Sequence, residues 1–178
     1  IRVVARDVGG GFGTKGWQYS EHRRVLWAAR KLERPIKWSC TRSEAVQADE
    51  HGRDNVTDAE LAFDQNCRVT ALRLSSIANI GAYLSAISNL LAAFTNVGTL
   101  IGVYDIPRAH VEVRTVHSNS NPTAPYRGAG RPEATYVIER MFDEAARELK
   151  IDPTELRARN MIRPEAMPLK TALGLVYD

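Results

Sequence analysis

The sequence has few of the residues that mark membrane or disulfide-rich proteins. Its 178 residues include only two cysteines, Cys40 and Cys67, which lack the spacing of a metal site or disulfide framework. We therefore expect reduced, structural thiols. No apolar run approaches the ~18 to 20 residues of a membrane span, and the start carries no signal-peptide pattern. A cytoplasmic protein without a membrane partner is expected.

The charge is too mild and too evenly mixed to predict a nucleic-acid partner. The chain carries 24 Lys and Arg against 21 Asp and Glu, a formal charge of +3. Its four histidines predict no metal site: His22 and His51 lie among charged residues. His110 and His117 fall on one predicted strand at a spacing that places them on opposite faces.

Length and composition indicate a folded piece of a longer polypeptide. At 44% hydrophobic residues the chain can bury a core, as one domain or two small lobes. It has no initiator Met and opens directly in an apolar stretch. We expect residues 1–163 to form the folded part. Residues 164–178, with two prolines and little periodicity, are expected to form a C-terminal extension.

Hydrophobic periodicity predicts an α+β fold with a mixed, largely antiparallel sheet and helices packed on it. Alternating or apolar runs predict strands over residues 1–5, 35–40, 56–63, 69–80 and 109–118. Helical spacing and capping residues predict helices over 21–31, after Thr41, over 85–94, over 133–149 and after Asp152. The apolar stripe expected on the longest helix comprises Val137, Ile138, Met141, Ala145 and Leu149.

The chain is organised around a glycine turn at residues 8–15. Four of the five residues from Gly9 to Gly13 are glycines, which permit positive φ angles and close approach to backbone N–H groups. The turn could be a plain connection, or a dinucleotide loop because Gly11, Gly13 and Gly16 match the G-x-G-x-x-G spacing. It could also present amides to a different cofactor.

The residues after the glycine turn disfavour the dinucleotide interpretation. The next predicted strand, over residues 35–40, ends in Thr41 and Arg42 rather than in the acidic residue that would bind a ribose. The regular alternation of strand and helix also stops further along the chain. A cofactor other than a nicotinamide fits this turn better.

A second loop, over residues 119–133, is dense in Pro, Gly and Asn. Arg127 lies between Tyr126 and two glycines, and the loop ends in Pro132 and Glu133 at the start of a predicted helix. An arginine in such a loop could simply be solvated. The amides of a helix N-terminus, however, favour an anion nearby.

Together, the two loops resemble the molybdenum-pterin hydroxylases of the xanthine dehydrogenase and aldehyde oxidase family. The segments that carry the resemblance are 9–15 and 126–134, with further matches at 34–37, 41–44 and 156–162. The sequence Tyr-Arg-Gly-Ala-Gly-Arg at residues 126–131 is most similar to large subunits of the second, non-copper type of carbon monoxide dehydrogenase. The resemblance covers nearly the whole chain in order.

The resemblance implies a hydroxylase that inserts a water-derived oxygen into a C–H bond of a small aldehyde or heteroaromatic substrate. It implies a molybdenum-pterin cofactor, in the cytosine dinucleotide form usual in bacterial relatives. Electrons would leave through [2Fe–2S] clusters and FAD on an iron–sulfur subunit and an FAD subunit. The expected assembly is a dimer of heterotrimers that also contains the rest of the molybdenum subunit.

The same resemblance assigns residues to the site. The residues expected to contact the cofactor are Gly10, Gly11, Phe12, Gly13, Arg127 and Gly128. Gly16 and Ala129 occupy the positions where purine-oxidising members have a Glu and an aromatic ring, so both are expected to line the substrate pocket. Gly128 replaces the copper-binding Cys of carbon monoxide oxidisers, which makes carbon monoxide an unsuitable substrate.

No catalytic residue and no side-chain metal ligand is expected in this chain. The general base of the family is a glutamate in a C-terminal glycine-bounded motif, and nothing after Pro164 resembles it. Glu133 and Glu139 are explained by helix capping and solvation. The chain alone is expected to be inactive. The alternative is a non-catalytic scaffold or interaction fragment whose glycine loops are only turns.

Overall fold

The computed structural model describes residues 2–85, 87, 90 and 97–178. The helix predicted over 85–94 falls largely outside these residues. The helices are α1 (Ser20–Leu32), α2 (Arg42–Ala48), α3 (Arg131–Leu149) and α4 (Pro153–Asn160), with short 3-10 turns at Thr14–Gly16 and Pro164–Ala166. The strands are β1 (Asn55–Phe63), β2 (Val69–Asn79), β3 (Ala109–Val116), β4 (Leu169–Lys170) and β5 (Val176–Tyr177).

The main sheet is mixed, and the predicted α+β class is confirmed. Its strand order is β1-β2-β3, with β1 antiparallel to β2 and β3 parallel to β2. The predicted β1–β2 hairpin is therefore present, with the chain turning after Phe63. The short β4–β5 pair in residues 164–178 is antiparallel, and Leu173 between these strands packs against the main core.

Two predicted strands are absent from the described residues. Residues 2–5 and 35–40 form no strand and pair with no other strand in the described part of the chain. Val3 and Val4 are 89% and 61% exposed. These predictions were wrong because an apolar, β-prone segment becomes a strand only when another backbone completes its hydrogen-bond ladder.

Helix α3 packs on the sheet along a stripe that overlaps the predicted one, since Ile138 is buried and Val137 and Ala145 pack against the core. Its buried residues are Ala134, Ile138, Phe142 and Ala146. The prediction was wrong for Leu149 at the end of the helix, which is 41% exposed, and it missed the buried Phe142. Phe142 is fully buried and stacks on Tyr104 at 4.0 Å between ring centroids. None of the helices in the described part of the chain is long and apolar enough to cross a membrane.

Local side-chain caps fix the helix starts as predicted. Thr41 accepts the amide of Glu44 at 3.3 Å while the Glu44 carboxylate accepts the amide of Thr41 at 2.8 Å, a complete capping box. Asp152 accepts the amides of Thr154 and Glu155 at 2.8 and 3.1 Å. These caps satisfy N–H groups that the first helical turn leaves without partners.

A charged network joins α3 to α4, which corrects the interpretation of Glu139 as a merely solvated residue. Glu139 accepts hydrogen bonds from Arg157 at 2.7 Å and from the Tyr104 hydroxyl at 2.8 Å. Arg157 also donates to Asp143 at 2.8 Å. Burial, together with the bond to Glu139, raises the pKa of Tyr104 to about 12. Glu139 is therefore a structural residue of the helix pair.

Asn160 anchors the end of α4 to the start of β2. Its side chain is 1% exposed. Oδ1 accepts the amide of Val69 at 2.8 Å, and Nδ2 donates to the carbonyls of Cys67 and Leu156, both at 2.9 Å. One buried amide thus satisfies three backbone groups.

Replacing Asn160 with Ala is expected to lower the free energy of unfolding by about 2 to 4 kcal/mol, because buried backbone groups lose their partners. Chemical denaturation monitored by circular dichroism measures the change. Asn66→Ala removes an exposed amide from the turn that precedes β2, and it should alter stability by less than about 0.5 kcal/mol. Equal effects of the two substitutions would contradict the anchoring role.

Candidate functional site

The two loops predicted to carry function lie against each other. The backbone N–H of Arg127 donates to the carbonyl of Phe12 at 2.9 Å. A side chain added at Gly13 would overlap the carbonyl oxygen of Pro125. Two stretches far apart in the sequence therefore form one continuous backbone surface.

The glycine turn depends on backbone angles that favour glycine. Gly10 and Gly13 have φ of 116° and 104°, and Phe12 between them has φ of 50°. Hydrogen bonds from Lys15 to Gly11 at 3.3 Å and from Gly16 to Gly13 at 3.1 Å close the turn. The ring of Phe12, which is 58% exposed, lies where a side chain of residue 10 would be.

The glycine turn presents a row of unpartnered hydrogen-bond donors. Within the described ranges, the backbone N–H groups of Gly10, Gly11, Phe12 and Gly13 donate to no protein acceptor. Backbone N–H groups without acceptors are suited to oxygens that carry negative charge. Such donors are what a bound oxyanion requires.

The second loop reaches the start of α3 through three residues with positive φ. These are Gly128, Ala129 and Gly130, with φ of 95°, 42° and 94°. A Cβ at Gly128 would lie 2.6 Å from the ring of Pro132, so residue 128 has no space for a side chain. The Arg127 side chain is exposed and has no hydrogen-bond or ion-pair partner among the residues that the structure describes. The residue that carries this free cation is bonded to the glycine turn through its backbone amide.

The residues expected to line a substrate pocket lie on these same loops. Gly16 ends the 3-10 turn after the glycine loop, and a Cβ there would meet nothing within 4 Å. A larger side chain would therefore fit at residue 16, and its absence leaves open space. Ala129 is half-buried in the second loop.

A cavity of about 470 Å³ lies between the sheet and the beginning of α3. Its walls are mainly apolar side chains of β2, β3 and α3, with the ion-paired Arg53 and Glu133 among the polar ones. Its size and lining are in the range of small-molecule sites. The cavity lies next to the second loop, because its lining includes Pro132 and Glu133 in the first turn of α3, directly after that loop.

The segment 51–53 supports the second loop, and the sequence interpretation missed its role. The amide of His51 donates to Pro122 at 3.0 Å, and the amide of Ala124 donates to His51 at 2.8 Å. A Cβ at Gly52 would lie 2.8 Å from Cβ of Tyr126. In the sequence, the sign of this role was a glycine followed by an arginine, Gly52 and Arg53, shortly before strand β1.

Glu50, which precedes this segment, is a buried carboxyl that the sequence interpretation also missed. It is 8% exposed, and its Oε2 has no hydrogen-bond partner among the described residues. Burial raises the pKa of Glu50, and the neighbouring Asp49 carboxylate raises it further. An isolated glutamate in the sequence gives no sign of burial.

Most of the chain matches a known protein family. Residues 1–161 match the molybdopterin cofactor-binding domain family. The chain is 34% identical over its full length to 6-hydroxypseudooxynicotine dehydrogenase complex subunit gamma of Paenarthrobacter nicotinovorans, and spans 22% of that protein. It is 37% identical, again over its full length, to the carbon monoxide dehydrogenase large chain of Hydrogenophaga pseudoflava, and spans 22% of it.

A solved structure with a similar fold is quinoline 2-oxidoreductase of Pseudomonas putida 86. The similarity has a TM-score of 0.90 at 35% identity, and covers 96% of this chain and 22% of that one. The chain therefore belongs to the molybdopterin cofactor-binding domain family, which confirms the resemblance to the molybdenum-pterin hydroxylases. It spans about a fifth of the length of these relatives.

Gly13→Ala is expected to separate the two loops, because the new methyl group would overlap Pro125 and the φ of 104° is strained for alanine. Hydrogen exchange of the Arg127 amide should rise at least tenfold, as measured by mass spectrometry. Gly9→Ala is the matched control, since a Cβ there meets nothing within 4 Å. Unchanged exchange in Gly13→Ala would show that the loops do not need this contact.

Glu50→Gln is expected to be more stable than the wild type near pH 7, by on the order of 1 kcal/mol. The folded state keeps its proton on Glu50 longer than the unfolded state, so wild-type stability falls as the pH rises above ~4.3. The two proteins should converge below that pH. Denaturation between pH 4 and 7 tests this, with the exposed Glu148→Gln as control. A pH-independent difference would refute it.

Proposed function

We propose that the two joined loops hold the molybdenum-pterin cofactor of a hydroxylase. The single observation that carries this is the row of free amides from Gly10 to Gly13, in a turn bonded to the backbone of Arg127, whose guanidinium has no partner among the described residues. The amides of the glycine turn would hold anionic oxygens of this group. Arg127 would offset their negative charge, and Gly128, without a side chain, would leave room for the group.

The donors present fit this cofactor. Free N–H groups and a cation suit the anionic oxygens of a metal centre and of a pterin phosphate. Among the described residues, no group of three or more His, Cys, Asp or Glu could hold a metal ion. This fits a metal bound through the pterin dithiolene, because that ligand needs no side chain of the protein.

When bound, the cofactor supplies the transfer of a water-derived oxygen to a C–H carbon and accepts the released electrons. The contribution of this chain is orientation and electrostatics. Amides fixed by the positive φ angles of Gly10 and Gly13 need no reorganisation as negative charge develops on an oxygen. The exposed ring of Phe12 gives the same surface an apolar patch.

The proposed substrate is a small aldehyde or heteroaromatic compound. Gly16 and Ala129 leave the pocket without the acidic and aromatic anchors that a purine would use. Gly128 offers no side chain to bind copper, so carbon monoxide does not fit. The names of two relatives, a 6-hydroxypseudooxynicotine dehydrogenase and a quinoline oxidoreductase, point to nitrogen heteroaromatics.

The chain works as part of a larger cytoplasmic enzyme. In this proposal an iron–sulfur subunit and an FAD subunit accept the electrons, the pterin carries cytosine dinucleotide, and the assembly is a dimer of heterotrimers. The catalytic glutamate lies in the rest of the molybdenum subunit. The unpaired segment 2–5 and the exposed Trp27, which is 63% accessible, support a partner surface on the N-terminal side.

Arg127→Ala in the full-length protein, purified from its native host, is expected to lower kcat/KM for aldehyde or heteroaromatic oxidation about 10²-fold or to reduce bound molybdenum. The reason is the loss of a charged donor at the site. Dye reduction, plasma mass spectrometry of molybdenum and fluorescence of the oxidised pterin measure these effects. The control is Arg140→Ala, which removes an exposed arginine paired with Glu144 on α3. It should change neither kcat/KM nor the amount of bound molybdenum.

Two outcomes would overturn parts of the proposal. A folded full-length protein that carries neither molybdenum nor pterin would establish the scaffold alternative, in which the glycine loops are only turns. Substrate-dependent dye reduction by the isolated 178-residue chain would refute its inactivity and the placement of the catalytic glutamate elsewhere.

A further inference from the structure

Arg53 lies behind the second loop and contacts it in three ways. Its Nη2 donates to the carbonyl of Arg127, and also lies 3.5 Å from the carbonyl oxygen of Tyr126. Its guanidinium lies over the ring of Tyr126, 5.1 Å from the centroid. Its Nε forms an ion pair of 3.5 Å with Glu133 in the first turn of α3. The guanidinium thus connects the middle of the loop to the helix that begins after it.

The contacts of Arg53, together with the hydrogen bond that the Ala129 amide donates to the Tyr126 carbonyl at 2.8 Å, fix which way the loop amides point. In a planar trans peptide, the C=O and N–H groups point in opposite directions. Since the carbonyls of Tyr126 and Arg127 both approach Nη2 of Arg53, the N–H groups of Arg127 and Gly128 point away from it. The first donates to Phe12 at 2.9 Å. The second has no acceptor in the described part of the chain.

The environment of Arg53 holds the guanidinium in place. Arg53 itself has φ of 62°. It is preceded by Gly52, where the chain passes so close to Tyr126 that a Cβ would lie 2.8 Å from the Cβ of that residue. The side chain of Arg53 is 32% exposed, and that of Glu133 is 20% exposed. A guanidinium can serve two carbonyls and a carboxylate at once because its donors are fixed in one plane.

We infer that Arg53 is a positioning residue for the proposed cofactor site. By binding the carbonyls of Tyr126 and Arg127 it keeps the Arg127 amide on Phe12, and turns the Gly128 amide toward the side of the glycine loop as a further free donor. The part of this inference that concerns catalysis rests on the proposed function. The role of Arg53 in the loop geometry stands on the contacts alone.

The test compares Arg53→Ala and Arg53→Lys in the full-length protein with the matched control Arg68→Ala. Arg68 also donates from its guanidinium to a distant backbone carbonyl, that of Arg159, away from the site. Hydrogen exchange mass spectrometry follows the Arg127 amide, and amides of the β1–β2 hairpin report on the rest of the fold. Thermal unfolding confirms that each variant is folded.

We expect the Arg127 amide to exchange at least tenfold faster in Arg53→Ala, with the hairpin amides unchanged. Arg53→Lys should show a smaller increase, because an ammonium group can reach a carbonyl but lacks the planar fork. Arg68→Ala should leave the Arg127 amide unchanged. Should Arg53→Ala fail to fold, the test uses the exchange rate of the Arg127 amide in Arg53→Lys alone, which is expected to be faster than in the wild type. Unchanged exchange in a folded Arg53 variant overturns the inference.

The contribution of Arg53 to cofactor binding and turnover is measured separately. Molybdenum per chain or kcat/KM should fall at least tenfold in Arg53→Ala and less in Arg53→Lys. Faster exchange of the Arg127 amide with unchanged molybdenum content and unchanged kcat/KM would show that Arg53 does not position the cofactor site. A wild-type protein without molybdenum would refute the proposed function instead, and the exchange comparison would still decide whether Arg53 fixes the loop.

Discussion

The hydrogen bond from the Arg127 amide to the Phe12 carbonyl is the constraint on which the site depends. It joins two loops whose own backbone angles are unfavourable for most residues, with positive φ at Gly10, Gly13 and Gly128. Loops of this kind persist only where the surrounding structure holds them. The glycine turn leaves the amides of Gly10, Gly11, Phe12 and Gly13 without acceptors among the described residues.

The rest of the fold can be understood as support for that contact. Helix α3 begins directly after the second loop and is fixed on the sheet by the buried Phe142. Arg157 and Asn160 of α4 bind α3 and the start of β2 through hydrogen bonds. The helix that begins after the second loop is therefore held on the sheet by both apolar and polar contacts.

Exposed apolar residues show where this piece of the family fold is incomplete by itself. Val3, Leu26 and Trp27 are 89%, 69% and 63% exposed, and the segment 35–40 lacks a neighbouring strand. Surfaces of this kind are covered in stable proteins. The chain spans only about a fifth of the length of its relatives.

The sequence by itself determined the features that depend on neighbouring residues. The Thr41 and Asp152 caps, the β1–β2 hairpin and the two special loops were readable, since each follows from local hydrogen bonds, period or glycine content. Only the tertiary structure decided the parallel pairing of β3, the failure of residues 2–5 to form a strand, and the burial of Glu50. The junction of Phe12 with Arg127, and the role of Arg53 behind it, also required the fold. Contacts between distant segments depend on which backbones pack together, and no local pattern records that choice.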